Sequence, residues 1–174
     1  MGVMRFLTFL AMVGALLLPL PAATAASPRE CTSAMLAASW VDRDAAMSHW
    51  YGDLRLTNVS TRTCWVQGYG GLSFVGHGNG TQIGQAAART PSKIRRVVLA
   101  PGQVAASRVE QTSPDPYPKK RCHRTEVDGF RVYVPDSRVA KFVAHPTVTC
   151  ANKKLTMLEH KAYRKVRAAA PTPG

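Results

Sequence analysis

Histidines and acidic residues are the side chains of this sequence that could bind a metal ion or move a proton. None of the five histidines stands at His-x-His or His-x-x-x-His spacing to another, the patterns by which one strand or one helical turn presents two nitrogens to a metal. The histidines are His49, His77, His123, His145 and His160. The sequence therefore predicts no metal site.

Carboxylate pairs and an activated serine are the next candidates for chemistry. Glycoside cleavage needs two acids that face one cleft, but Asp115, Glu126, Asp128 and Asp136 stand mostly beside turns or basic residues, as solvated turn acids do. Ser73 lacks the Gly-x-Ser-x-Gly frame of a serine nucleophile. We therefore expect that the protein has no catalytic residue and is not an enzyme. The alternative is an exported hydrolase whose residues assemble across strands.

A glycine-rich segment, GHGNG at 76–80, superficially resembles a phosphate-binding loop. It lacks the Gly-Lys-Ser/Thr sequence and the following helix of such a loop, whereas its glycines and asparagine suit a hairpin turn. We therefore predict a β-hairpin here and no cofactor.

Basic residues form four runs in a chain of formal net charge +13. The runs are KIRR (93–96), KKRCHR (119–124), KK (153–154) and HKAYRKVR (160–167). A net charge this large attracts anions. If the second and fourth runs meet at one end of the fold, they form a polyanion-binding patch; its residues would be Lys119, Lys120, Arg121, Arg124, Lys161, Arg164, Lys165 and Arg167. The alternative is an ordinary solvated surface.

The expected partners of such a patch are anionic cell-wall polymers or lipid headgroups. Only Tyr117 and Tyr163 stand near the basic runs, which disfavours specific nucleic-acid binding because that binding relies on aromatic rings stacked on bases.

The N-terminus has the layout of a secretory signal. One positive charge in residues 1–5 precedes an apolar run at 6–21, and Ala23-Thr24-Ala25 supplies small residues for cleavage. The apolar run is shorter than the roughly 20 residues of a spanning helix. We predict a signal peptide over 1–25, a secreted or cell-envelope-associated protein, and no transmembrane segment after cleavage.

Four cysteines remain in the mature chain, Cys31, Cys64, Cys122 and Cys150. An even number without Cys-x-x-Cys spacing in an exported protein favours disulfides over thiols or zinc. Three pairings are possible and sequence alone does not choose among them, although two local bridges would fit the strand layout.

The elements that must position these residues are short strands with period-two patterning. The segment 128–135 alternates best, with Phe130, Val132 and Val134 inward. We further predict strands at 72–75 and 81–84 joined as a hairpin, at 95–102, 103–110, 140–150 and 153–159, and a hairpin between 53–60 and 63–66. A short helical turn is expected within 33–40, and an exposed loop at 111–122.

These segments predict an all-β fold, an immunoglobulin-like antiparallel β-sandwich of about eight or nine strands over 26–159. Residues 160–174 are basic and then rich in alanine and proline, so we expect a disordered tail. Trp65 follows Cys64, and we expect it to be buried against a disulfide. The glycines at 68, 70 and 71 then allow a tight reversal.

Taken together, several segments resemble the DUF4232 family of actinobacterial exported proteins. They are LRLTNVSTRTCWVQGYGG (54–71), VVLAPGQVAASRV (97–109), Cys122, FRVYVPD (130–136) and VTC (148–150), in the order and spacing of the family. The resemblance covers residues 31 to 158 and implies a β-sandwich whose disulfides pair in sequence order, Cys31–Cys64 and Cys122–Cys150. It implies no activity.

The leading functional hypothesis is thus a secreted, non-catalytic module that binds anionic cell-envelope components through a basic surface. Besides the exported hydrolase, a purely structural extracellular domain is the other alternative.

Overall fold

The computed structural model describes residues 27–166, and these residues form an all-β fold. The strands are β1 (Arg29–Glu30), β2 (Leu36–Ala46), β3 (His49–Asn58), β4 (Cys64–Gln67), β5 (Gly71–Gly76), β6 (Thr81–Ile83), β7 (Ala88–Arg89), β8 (Arg96–Leu99), β9 (Val104–Thr112), β10 (Arg124–Tyr133), β11 (Ala140–Cys150), β12 (Leu158–His160) and β13 (Arg164–Lys165). A 3-10 turn (Ser33–Met35) precedes β2, and a single short helix, α1 (Lys119–Cys122), precedes β10. The predicted signal peptide lies outside the described residues, and within them no helix is long and apolar enough to cross a membrane.

The largest sheet has the strand order β2-β3-β9-β12-β7, and β13 also pairs with β9. Its centre is antiparallel, and β2 and β3 form a long hairpin in which Ala46 lies opposite His49. Leu54 and Leu56 of β3 and Val109 of β9 belong to the core, whereas the intervening residues lie on the outer face. This alternation is the period-two pattern of a sheet with one buried face.

The second sheet, in the order β11-β10-β5-β6, packs its inner face on the first. Phe130 of β10 lies opposite Phe74 of β5, and their rings are stacked at a centroid distance of 5.3 Å. Trp40 of β2 contacts Phe130 from the opposing sheet, with ring centroids 5.1 Å apart. The core is therefore the layer between the two sheets, and β2 and β11 are the edge strands on one side of it.

A third, smaller sheet has the order β1-β4-β8. Its β1 runs parallel to β4 and is attached to it by the Cys31–Cys64 disulfide, with Cα atoms 5.0 Å apart. The second disulfide joins Cys122 and Cys150, with Cα atoms 4.6 Å apart. The all-β sandwich and both disulfides implied by the family resemblance are thus confirmed.

Several predicted strands are also confirmed. The 72–75 and 81–84 segments form the hairpin β5–β6, in which Phe74 faces Ile83. The segments at 95–102, 103–110, 128–135 and 140–150 correspond to β8, β9, β10 and β11. Gly68 has φ +80, in the left-handed region, as the predicted reversal after β4 requires.

The predicted hairpin between 53–60 and 63–66 is wrong. β3 pairs with β2 and β9 in the large sheet, whereas β4 lies in the small sheet. The fully buried Asn58 explains the crossing, because its Nδ2 donates to the carbonyl oxygens of Arg62 (2.8 Å) and Leu99 (2.9 Å). These bonds satisfy the backbone where the chain leaves one sheet for the other.

Other expectations are corrected as well. The helical turn covers only Ser33–Met35, and 36–46 is the long strand β2. Residues 153–157 form a turn, so the strand predicted at 153–159 is limited to its last two residues, in β12. The exposed loop predicted at 111–122 is also shorter, because β9 extends to Thr112 and the loop ends in α1; Gln111 and Ser113 are buried.

The prediction of a tail from residue 160 is wrong for residues 160–166. His160 belongs to β12, Tyr163 is buried with 1% of its surface exposed, and β13 pairs with β9. Burial of the Tyr163 ring outweighs the polar character of this run, because a fully buried aromatic side chain contributes a few kcal/mol. Residues 167–174 lie outside the described residues.

Trp65 also departs from its prediction. It is only half-buried and is not among the core residues; instead the guanidinium of Arg96 lies 4.2 Å from its ring centroid. A half-exposed ring covered by arginine is a cation–π arrangement rather than core packing. The tryptophan in the sandwich core layer is Trp40.

Candidate functional site

Two of the four basic runs meet around the second disulfide. Besides the Cys122–Cys150 bond, Asn152 links them: its Nδ2 donates to the Arg121 carbonyl oxygen (2.7 Å), and its backbone N–H donates to the Cys122 carbonyl oxygen (3.3 Å). The second run, KKRCHR, is therefore joined to the third run, KK.

The local conformation directs these cations outward. The helix α1 starts after Pro118 and ends at His123, which has the left-handed φ of +55. Only Cys122 of α1 is buried, so its three basic side chains face solvent. In the turn after β11, Leu155 is buried and Lys153 and Lys154 are exposed. One end of the sandwich thus carries a surface that we call the basic patch: Lys119, Lys120, Arg121, Lys153 and Lys154.

Within the described residues, the cations of the basic patch are not neutralised by ion pairs. None of its five residues takes part in a salt bridge among the described residues, although the neighbouring Arg124 contacts Asp115 at 3.1 Å. Exposed like charges that are held together raise the local potential and attract anions. The patch is therefore a surface of positive potential.

The patch predicted from the second and fourth runs is not formed. Arg164 and Lys165 lie opposite Ala106 and Ala105, near the start of β9, whereas α1 follows the end of that strand at Thr112. Six or seven residues of strand separate the two positions by roughly 20 Å. Arg164 is moreover an ion-pair partner of Asp53, at 3.4 Å. Arg167 lies outside the described residues.

The fourth run instead lies beside the first. The backbone N–H of Ala162 donates to Ser92 Oγ (2.8 Å), next to the KIRR run, and that of Thr90 donates to the His160 carbonyl oxygen (2.9 Å). The grouping of the runs depends on sheet topology, which their spacing along the chain does not reveal. The sequence nevertheless showed Lys153 and Lys154 as a basic run, and their positions three and four residues after Cys150 were the available signal.

His160 is buried in the sandwich, and His145 is half-buried between its two sheets. Burial, together with the charge of Arg89, lowers the pKa of His160 from 6.5 to about 4. Its Nδ1 lies 3.5 Å from Ser107 Oγ, but that hydroxyl donates to the Lys161 carbonyl oxygen. Burial also lowers the pKa of His145, while the Asp42 carboxylate acts in the opposite direction. Both imidazoles are therefore neutral at pH 7.

Within the described residues, one further contact outside the cysteine bridges joins a histidine to an acid: His49 Nδ1 lies 2.8 Å from Glu110 Oε1, and both side chains are partly exposed. Asp115, Glu126, Asp128 and Asp136 are exposed, but Glu126 and Asp128 lie within β10 and not in turns. Ser73 is buried within β5. Within residues 27–166, no three histidine, cysteine, aspartate or glutamate side chains converge as metal ligands would.

Comparison with known proteins gives a family but no function. No curated protein and no solved structure matches the chain significantly. The model of a domain of unknown function, DUF4232, matches residues 31–159, which contain β2 to β11, all of β12 except His160, and both disulfides. Because this match covers most of the sequence, the chain belongs to the DUF4232 family.

Proposed function

We propose that this protein is a secreted, non-catalytic module that binds anionic components of an actinobacterial cell envelope through the basic patch. The ligand class is a wall polymer or a lipid surface that carries phosphate or carboxylate groups. The observation that carries the proposal is the disulfide-anchored group of five exposed cations without ion-pair partners among the described residues.

Fixed cations favour this function over a merely solvated surface. Asn152 and the Cys122–Cys150 disulfide hold the two basic runs of the patch together. The free energy needed to bring these like charges close is therefore supplied by folding and not by the binding of a ligand. Binding of a polyanion then releases its condensed counterions, which makes the affinity fall steeply as salt increases.

The hydrolase alternative lacks comparable support. Ser107 and His160 are the described serine and histidine side chains within hydrogen-bond range, and both are buried in the core layer. The Ser107 hydroxyl is occupied by the Lys161 carbonyl oxygen. A substrate would have no route to this pair without opening the large sheet.

Two variants with the same loss of charge test the proposal. In the patch variant, Lys119, Lys120, Arg121, Lys153 and Lys154 are changed to glutamine. In the control variant, the changed residues are Arg62, Lys93, Arg95, Arg138 and Lys165, which are exposed elsewhere and take part in no salt bridge of the described chain. Both are eluted from heparin with a salt gradient and titrated with phosphatidylglycerol vesicles.

We expect the patch variant to elute at much lower salt than the control and to lose vesicle binding. The slope of log affinity against log salt should fall by about 0.7 to 0.9 for each contact removed. Equal shifts in the two variants would show that net charge alone governs retention, and elution of the unchanged protein below physiological salt would remove the proposal.

A further inference from the structure

An open cleft lies at the side of the sandwich between the edge strands β2 and β11. Its volume is about 400 Å³, within the range of small-molecule sites. Trp50 of β3 and Gln111 of β9, which lie opposite each other, line it from the large sheet, and His145 and Thr147 line it from β11. A β-bulge in β2 adds Asp42 and Asp44 to its rim.

Hydrogen bonding fixes the polar side chains of this cleft but does not occupy all of their donors and acceptors. Gln111 is only 4% exposed, and its Oε1 accepts a hydrogen bond from His145 Nε2 (3.2 Å) that joins the two sheets. This bond uses Gln111 Oε1 and His145 Nε2 and leaves Gln111 Nε2 and His145 Nδ1 for other partners; neither is one of the fully buried polar atoms without a hydrogen bond. A buried amide that keeps an unused donor beside a cavity is suited to a polar ligand.

An aromatic surface accompanies these polar atoms. The Trp50 ring is 41% exposed and is not part of the core. Deeper in the cleft, the His145 ring stacks on Phe130 with centroids 4.8 Å apart and contacts Trp40 at 5.0 Å. The rings of Trp40 and Phe130 thus fix the imidazole, while Trp50 leaves an apolar face open to a ligand.

The carboxylates on the rim provide acceptors. Asp42 Oδ1 already accepts a hydrogen bond from Trp40 Nε1 (2.7 Å), which orients the group. The Asp44 side chain is 71% exposed and lies 3.7 Å from the Arg108 guanidinium. Asp44 and Arg43 already have ion-pair partners, Arg108 and Asp53, so neither side chain offers a free charge to an ionic ligand. The cleft therefore suits an uncharged ligand with both apolar and hydroxyl surfaces.

We propose that this cleft binds a neutral saccharide ring, with the C–H face of the sugar on Trp50 and its hydroxyls on Asp42, Asp44 and Gln111. A sugar ring combines one apolar face with a rim of hydroxyl groups, which can donate hydrogen bonds to carboxylate oxygens and accept one from the Gln111 amide. The ligand class follows from this match between an exposed aromatic face and oriented polar atoms.

The cleft is separate from the basic patch, although both lie toward the same end of the molecule. Thr147 at the cleft and Cys150 below the patch are three residues apart on β11, about 10 Å. A glycan chain with anionic substituents could contact both. The saccharide proposal does not require the proposed function, because the two sites share no residue.

The test is a titration of the isotope-labelled protein with cellobiose, maltose and N,N′-diacetylchitobiose, followed by NMR at high salt, where binding to the basic patch is suppressed. We expect at least one sugar to shift the side-chain signals of Trp50 and Gln111. Trp50→Ala and Asp44→Asn should each weaken that binding by about tenfold or more, which corresponds to the loss of one good contact. Phe142→Ala is the matched control, since this ring is 59% exposed on the edge strand β11 and lies outside the cleft.

Absence of shifts with all three sugars would overturn the proposal. Equal weakening by Phe142→Ala and Trp50→Ala would overturn it as well, because binding would then not depend on the cleft. Asp44→Asn changes an exposed side chain, so it remains a valid test if Trp50→Ala fails to fold. Salt-dependent retention on heparin, if it persists in either case, leaves the function of the basic patch unaffected.

Discussion

At the scale of single residues, buried polar groups are the feature that the sequence conceals best. Asp53 lies on the outer face of β3, as its alternation with Leu54 and Leu56 indicates, yet it is only 1% exposed. Arg43 binds its carboxylate at 2.7 Å and Arg164 at 3.4 Å. Arg164 is distant from Asp53 in sequence, so no local pattern could have predicted that the two arginines together cover this carboxylate.

His160 gives a prediction at this scale. Because burial lowers its pKa to about 4, the unfolded chain, with a histidine pKa near 6.5, binds more protons between these values. The free energy of unfolding should therefore fall as the pH drops from 6.5 towards 4, by about 1.4 kcal/mol per pH unit from this residue. Urea unfolding at pH 7, 6 and 5 measures it.

His160→Asn should flatten this dependence even if it lowers stability at every pH. His77→Asn, in the exposed turn between β5 and β6, should leave the dependence unchanged. A pH dependence identical in the two variants would show that His160 is protonated as readily in the folded protein as in the unfolded chain.

At the scale of elements, strands with clear alternation were predictable and those without it were not. The inward residues Phe130 and Val132 identify β10 from sequence alone. In contrast, β2 contains small and charged residues on a half-exposed edge, and its bulge between Asp42 and Asp44 breaks the period of two. β13 was missed because its two residues are exposed cations, while the burial that fixes it belongs to Tyr163.

The two disulfides differ in what they position, and this gives a second prediction. Each closes a loop of similar length, with sequence separations of 33 and 28. Loss of either should lower the free energy of unfolding by roughly 3 to 4 kcal/mol in the chain-entropy model, as denaturant unfolding would measure. Only the variant Cys122→Ala/Cys150→Ala should also elute from heparin at lower salt, because only that bridge lies beneath the basic patch.

Cys31→Ala/Cys64→Ala serves as the control, since it removes a comparable constraint at the small sheet. Retention has to be compared under conditions in which circular dichroism shows both variants folded. If the two variants keep the same retention, Asn152 and the packing around α1 are sufficient to hold the patch.

At the scale of the whole molecule, the fold class was predictable from strand alternation and the disulfide pairing from the family resemblance, but the grouping of charges was not predictable. Composition and alternation indicate a sandwich, whereas the distance between two basic runs depends on which strands are neighbours. β9 separates the second run from the fourth, and the β7–β12 pairing brings the fourth beside the first. The candidate sites required the topology; the sequence supplied only their residue types.

The proposed export of the chain is testable on the whole protein. We expect material recovered from the culture medium or the envelope of an actinobacterial host to begin at Ala26. Its intact mass should correspond to two disulfides with no cysteine available to alkylation. A chain that keeps residues 1–25 and four reactive thiols would contradict the proposed secretion.

The edge strands β2 and β11 have a consequence for self-association. Two long unpaired edges on one side of a sandwich offer backbone groups to other molecules and favour aggregation. Here each edge is interrupted: β2 by its charged bulge, and β11 by Pro146, which has no N–H to donate to a neighbouring chain. The same irregularities therefore disfavour the pairing of these edges between molecules, which is the first step in the growth of a fibril.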